Sequence, residues 1–128
     1  MNTKIKRIGV LTSGGDAPGM NAAVRSVVRA SSYFSLECVA IYKGYQGLID
    51  DDTKLMNARS VNNIINKGGT ILKSARCLEF RTPEGRKKAY ETLKRHKIDA
   101  LIVIGGDGSF TGAMIFHSEF NFPVIGIQ

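Results

Sequence analysis

The order of apolar and polar segments predicts a doubly wound α/β domain, with a mainly parallel sheet and helices on both faces. Three observations carry this expectation. Strand-like and helix-like stretches alternate along the chain. The strands are short and almost wholly apolar, as in Ile8-Gly9-Val10-Leu11-Thr12 and Ala100-Leu101-Ile102-Val103-Ile104, which is the composition of a parallel sheet covered on both sides. Both of these runs end in a glycine pair followed by aspartate, at Ser13-Gly14-Gly15-Asp16 and at Gly105-Gly106-Asp107-Gly108-Ser109. Open α/β sheets place their ligands beyond the carboxyl ends of strands, where these loops would lie.

The elements follow in order. Ile5 to Leu11 reads as the first strand. About Met20 to Ser32 reads as a helix, with Ala22, Ala23, Val27, Val28 and Ala30 as its small or apolar side. Leu36 to Tyr42 is the second strand, Gly44-Tyr45-Gln46-Gly47 a turn, and Asp50-Asp51-Asp52 a short acidic loop. Ser60 suits an N-cap, because its hydroxyl can accept from an early backbone N–H. The helix it starts would run to about Lys67 and end at Gly68-Gly69. Thr82-Pro83-Glu84 combines a cap, a proline at the first position and an acid in the first turn. That helix is expected to reach about Lys97. Ile98 to Ile104 is the next strand, Ser109 to about Phe120 the next helix, Asn121-Phe122-Pro123 a turn, and Val124 to Ile127 the last strand. No repeat, low-complexity tract or linker interrupts this order, so the 128 residues read as one domain.

Composition narrows the function classes. No apolar run approaches the roughly 20 residues that a spanning helix needs. The N-terminus lacks an apolar stretch followed by small residues, the pattern of a secretory signal. A cytoplasmic location is therefore expected, with Cys38 and Cys77 as reduced thiols. The net charge is +7, and much of it sits in Arg86, Lys87, Lys88, Lys94, Arg95 and Lys97, opposite Ala89, Tyr90 and Leu93. This pattern reads as a solvated helix face. No nucleic-acid motif accompanies it, so neither nucleic acid nor membrane is expected as a partner.

Three loops carry candidate chemistry. The first fits neither the dinucleotide nor the Walker pattern. Gly14 and Gly15 nevertheless permit close backbone approach, and Gly19 precedes a helix whose N-terminus favours anions. Phosphate binding and simple packing are both open for it. In the second loop, Asp107 lies between glycines with Ser109 close behind. A carboxylate there makes sense either as a Mg²⁺ ligand bridging to phosphate oxygens or as a cap for the helix that follows. In the third, Gly68-Gly69-Thr70 through Ser74-Ala75-Arg76, Arg76 is either a guanidinium set near phosphates or a surface charge. His96 and His117 show no acidic or thiol partner at useful spacing. Arg76 beside Cys77 is a charge that can lower a thiol pKa, but without an adjacent base Cys77 is not read as a nucleophile.

Taken together, Leu11-Thr12-Ser13-Gly14-Gly15-Asp16-Ala17-Pro18-Gly19-Met20-Asn21-Ala22, Gly68-Gly69-Thr70 with Ser74-Ala75-Arg76, and Gly105-Gly106-Asp107-Gly108-Ser109 closely resemble the bacterial ATP-dependent 6-phosphofructokinases. The first motif is highly specific, whereas NAD kinases and diacylglycerol-type lipid kinases share the Gly-Gly-Asp-Gly of the last. The resemblance implies ATP- and Mg²⁺-dependent phosphorylation of the 1-hydroxyl of fructose 6-phosphate, a glycolytic step. By position, Gly15, Arg76, Cys77, Gly106, Asp107, Gly108 and Ser109 would contact ATP. Asp107 would hold Mg²⁺, and Arg76 would stabilise charge during transfer. Gly108 implies ATP as donor, because pyrophosphate-using members carry an aspartate there, whose carboxylate would crowd and repel the α-phosphate. Arg25 and Arg29 match two arginines that bind an allosteric nucleoside diphosphate, ADP or GDP. They stand one turn apart and present two cations to one side. Intact members are homotetramers, with the effector site between subunits.

Three positions depart from the family pattern. Ala58 stands where many members carry an effector-binding arginine, with Arg59 next to it as the candidate substitute. Lys73 stands where many have glycine. Gln128 stands where the family strand enters Pro-Gly-Thr-Ile-Asp-Asn-Asp, the loop that supplies the base for the sugar hydroxyl. The expectation is an incomplete ATP-binding domain, residues 1–128, of a two-domain subunit. A non-catalytic nucleotide-binding or effector-sensing module is the alternative reading, and an NAD or lipid kinase a lesser one.

Phosphoryl transfer depends on positioning both reactants. Residues 1–128 alone are therefore expected to form no fructose 1,6-bisphosphate in a coupled assay, and turnover would overturn this. An uncovered sheet edge should also make the chain self-associate in analytical ultracentrifugation, against which a monodisperse monomer would count.

Overall fold

The computed structural model describes residues 5–14, 20–57, 71–75 and 77–127. Among them, five strands form one sheet in the order β3-β2-β1-β4-β5. The strands are β1 (Arg7–Thr12), β2 (Glu37–Ile41), β3 (Thr53–Met56), β4 (Ala100–Ile104) and β5 (Val124–Ile127). β1 pairs in parallel with both β2 and β4, and β4 with β5. Helices α1 (Met20–Tyr33), α2 (Tyr45–Asp50), α3 (Pro83–Arg95) and α4 (Asp107–Phe120) connect them, with a 3-10 turn at Glu79–Arg81.

Side chains of alternate strand residues leave opposite faces, and each face has its own core. Ile8, Val10, Cys38 and Ala40 pack with Val24, Val27 and Val28 of α1. Leu11, Val39, Ile41, Leu101 and Val103 pack on the other side with Leu48 of α2, Leu93 of α3, and Ala113 and Phe116 of α4. The expected mainly parallel sheet with helices on both faces is therefore present. At its far end, Asp99 Oδ2 accepts from the amides of Lys6 and Arg7, at 2.9 and 3.0 Å, and ties the start of β4 to β1.

The boundaries of α3 follow from its caps. The Thr82 hydroxyl accepts from Gly85 N–H at 2.9 Å, with Pro83 first in the helix. The helix ends at Arg95 rather than near Lys97, because Lys97 turns into the left-handed region at φ 57°. The expected helix near Ser60–Lys67 lies outside the described residues.

Four expectations are corrected. Tyr45–Gly47 is not a turn but the start of α2. Its glycines serve packing. Gly44 has φ 60°, and a Cβ on Gly47 would lie 1.7 Å from the Tyr42 carbonyl oxygen. Asp50 is the last residue of that helix and Asp51 its left-handed cap, so the expected acidic loop is kept at Asp51 and Asp52. Strand β3 was not anticipated. It is an antiparallel edge strand with exposed Lys54 and Leu55, which lacks the apolar run of a central strand. The basic stretch of α3 is only partly solvated, since Arg86 is buried. Its Nε and Nη2 donate to the two carboxylate oxygens of Glu119 on α4, at 2.6 and 2.9 Å, and its Nη1 to the Phe80 carbonyl at 3.1 Å. Finally, His96 does have an acidic partner. Its Nε2 lies 2.5 Å from Asp51 Oδ1, a contact between residues too far apart in sequence for spacing to reveal. Among the described residues, no helix is long and apolar enough to cross a membrane.

Phe116 is fully buried among Phe80, Tyr90, Phe120 and Phe122, with ring centroids 5.1 to 6.4 Å from its own. Phe116→Ala should cost about 3–5 kcal/mol, read as a lower denaturant midpoint in urea titration. A loss under about 1 kcal/mol would show that this cluster is not the centre of the core.

Candidate functional site

Strand β1 has β2 on one side and β4 on the other, so the connections leaving β1 and β4 diverge at their carboxyl ends. Such a switch point opens a crevice in a doubly wound sheet. Here the two loops are held together by backbone. Ser13 N–H donates to the Ile104 carbonyl at 2.9 Å. A Cβ on Gly105 would lie 2.4 Å from the Ser13 carbonyl oxygen, so only glycine permits the approach.

The third loop joins them. Thr12 Oγ1 donates to the Lys73 carbonyl at 3.0 Å, and Ser74 Oγ to the Gly14 carbonyl at 2.7 Å. Asn21 Oδ1 accepts from Ile71 N–H at 2.6 Å, and Leu72 is fully buried beneath. Lys73 adopts φ 62°, which suits glycine better than lysine and costs about 1–2 kcal/mol. The three loops singled out from sequence thus meet, in their described parts, at one place.

They border a cleft of about 1330 Å³. At one end lie Ser13, Gly14, Gly105, Gly106, Gly108 and Ser109. α4 starts here, with Gly106 as its N-cap and Asp107 as its first residue. The cap role that sequence left open for Asp107 therefore belongs to Gly106, and α4 begins two residues earlier than expected. Its first N–H groups lack intrahelical partners and favour an anion. A Cβ at Gly106 or at Gly108 would meet nothing within 4 Å, so space for a ligand lies against both. The Asp107 side chain is exposed between them.

The other end is aromatic. The Tyr45 and Phe80 rings stack with centroids 4.0 Å apart and planes 9° apart. The Tyr45 hydroxyl donates to the Ser109 carbonyl at 2.6 Å, and burial raises its pKa far above the ordinary phenol range, so it stays a donor. Gly112 of α4 faces this stack, where a Cβ would come within 3.4 Å of Phe80 and 3.8 Å of Tyr45. Sequence reasoning missed Tyr45, Phe80, Gly112 and Arg86, all of which line the cleft. The one available signal was a glycine inside a helical pattern, which often marks close approach.

Of the expected ATP residues, Cys77, Gly106, Gly108 and Ser109 line the cleft, and Asp107 lies between two of them. Burial raises the Cys77 thiol pKa above its ordinary value, with a smaller contribution from Glu79. The thiol form is thus favoured, and Cys77 is a wall residue of the cleft. Gly15, Arg76 and Arg59, with Gly19, Ala58, Gly68 and Gly69, lie outside the described residues. Arg25 and Arg29 sit on α1 away from its buried side, and neither lines the cleft. His96 and His117 are also absent from its lining. Among the described residues, no cluster of three or more His, Cys, Asp or Glu side chains could hold a metal ion. A cation here would need oxygen ligands from a phosphate compound beside Asp107, which is how Mg²⁺ is commonly bound.

Comparison with known proteins agrees with this geometry. The chain is 59% identical over 123 residues to ATP-dependent 6-phosphofructokinase 2 of Bacteroides thetaiotaomicron, covering 96% of this chain and 38% of that protein. It is 58% identical over 123 residues to the ATP-dependent 6-phosphofructokinase of Clostridioides difficile, with the same coverage. The chain thus spans well under half the length of these curated relatives. The structure of phosphofructokinase from Saccharomyces cerevisiae superposes with a TM-score of 0.92 at 40% identity, over 95% of this chain and 20% of that one. A pyrophosphate-dependent phosphofructokinase from Marinobacter aquaeolei gives 0.77 at 19% identity, over 95% of this chain and 33% of that one, a likeness of fold alone. The phosphofructokinase family profile matches residues 7–128, which include both glycine loops and the whole described sheet, and the chain therefore belongs to the phosphofructokinase family.

Proposed function

We propose that this chain is the ATP-binding portion of an ATP-dependent 6-phosphofructokinase, which transfers the γ-phosphoryl group of ATP to the 1-hydroxyl of fructose 6-phosphate. The observation that carries the reading is the turn from Gly105 into α4 at the switch point, with open space against Gly106 and Gly108. In this reading the backbone N–H groups of Gly15, Gly106, Gly108 and Ser109 receive the phosphates, and Cys77 closes one wall. The base of the nucleotide rests at the aromatic end, along the wall that Gly112, Tyr45 and Phe80 form. The apolar rings and the polar turn are thereby matched to the two halves of one ligand.

Asp107 is the residue that would hold Mg²⁺, which when bound neutralises phosphate charge during transfer. Arg76 stabilises the charge that develops on the transferring group. Fructose 6-phosphate and the base for its hydroxyl need residues beyond those of this chain, so activity belongs to the longer protein. Arg25, Arg29 and Arg59 form a second anion site for ADP or GDP, placed between subunits of a homotetramer. The setting is the cytoplasm.

Gly108 sets the donor. The open space beside it accepts a Cβ without contact to any described residue, and the carboxylate of an aspartate there would stand where the α-phosphate binds. Gly108→Asp should leave the thermal midpoint unchanged and weaken Mg·ATP binding by more than about tenfold, equivalent to about 1.4 kcal/mol, in a calorimetric titration. Retained ATP affinity in a folded variant would overturn the donor assignment. Absence of ATP binding by the unsubstituted chain would overturn the site.

A further inference from the structure

An arginine lining a nucleotide cleft can serve as an anion ligand or as a fastening between elements. For Arg86 the hydrogen bonds decide between them. Three of its five N–H donors are taken by Glu119 and by the Phe80 carbonyl, and its side chain is only 9% exposed. Glu119 lies at the far end of α4 from Gly108, about 16 Å along the axis at 1.5 Å per residue. The pair therefore acts behind the aromatic end of the cleft, not at the phosphate end. Arg86 stands on α3, its carboxylate partner on α4, and its carbonyl partner in the 3-10 turn at Glu79–Arg81. That turn carries Phe80, whose ring stacks on Tyr45 and faces Gly112.

We propose that Arg86, clamped by Glu119, is a positioning residue for the nucleotide base: it holds the Phe80 turn against α4 and so fixes the aromatic wall of the cleft, Phe80 on Tyr45, against which the base rests. This rests on the ATP reading of the cleft. The fork geometry of the guanidinium is what the role requires, since an ammonium cannot bridge both carboxylate oxygens and a carbonyl in one plane.

The test uses Glu119→Gln and Arg86→Lys in the 128-residue chain, with Mg·ATP and inorganic tripolyphosphate as separate calorimetric probes. Amide hydrogen exchange across Phe80–Thr82 is followed without ligand. Both variants should speed exchange in that turn and weaken ATP binding about tenfold, while tripolyphosphate affinity stays within about twofold. Tighter ATP binding by Glu119→Gln would identify a released anion ligand and overturn the proposal. ATP affinity equal to that of the unsubstituted chain in Arg86→Lys would overturn it as well, by showing that charge alone suffices. If the unsubstituted chain bound neither probe, the ATP reading would fall. The brace would then be judged by exchange, and an unchanged rate at the turn would overturn it.

Discussion

The site depends on the contact between two backbone turns at the carboxyl ends of β1 and β4. Gly105 lies against the Ser13 carbonyl so closely that a Cβ would approach it to 2.4 Å. Parallel pairing from Ile8–Ala100 to Thr12–Ile104 brings both strands to the same level at that end. The connections leave in opposite directions, and the gap between them is the cleft. Among the described residues, this pairing and the Ser13–Ile104 hydrogen bond bring Gly14 and the start of α4 together. The third loop only joins an arrangement already made, through the Thr12 and Ser74 hydroxyls.

Two kinds of force shape the two ends of that cleft. At the polar end, backbone N–H groups at the start of a 14-residue helix favour an anion without any side chain reaching in. At the aromatic end, burial and ring stacking fix Tyr45 against Phe80, and a single hydrogen bond to the Ser109 carbonyl joins the ends. Gly112 costs its helix about 1 kcal/mol relative to alanine, although a Cβ there would make only ordinary contact with Phe80 and Tyr45. Arg86 and Glu119 hold each other charged. The hydrogen bond from Arg86 keeps the Glu119 carboxyl below the usual carboxylate range, and the same bond raises Arg86. The carboxylate therefore keeps its charge to lower pH than it would without Arg86, and the pairing persists across neutral pH.

Much of the architecture was legible because it rests on local rules. Unbroken apolar runs mark strands buried on both faces, and Thr82-Pro83-Glu84 marks a helix start. The Gly-Gly-Asp loops mark turns that approach something closely. Where reading failed, a local rule met a tertiary demand. Gly44 and Gly47 look like turn residues, yet Tyr45 and Leu48 anchor a helix in the core between and beyond them. β3 carries too little apolar character to announce itself, and its register comes from β2. Arg86 belongs to a run of basic residues whose pattern is that of a solvated face, although its own side chain is buried against α4.

By itself the sequence determined most of the succession of strands and helices, the glycine loops and the family, since backbone conformation and apolar patterning are encoded over a few residues at a time. Only the tertiary structure decided the Tyr45–Phe80 stack, the Arg86–Glu119 clamp and the His96–Asp51 pair. Each of these joins residues 33 to 45 positions apart or lying on separate elements. No spacing rule reaches that far, because such contacts exist only after the helices have packed against the sheet and fixed which side chains face one another.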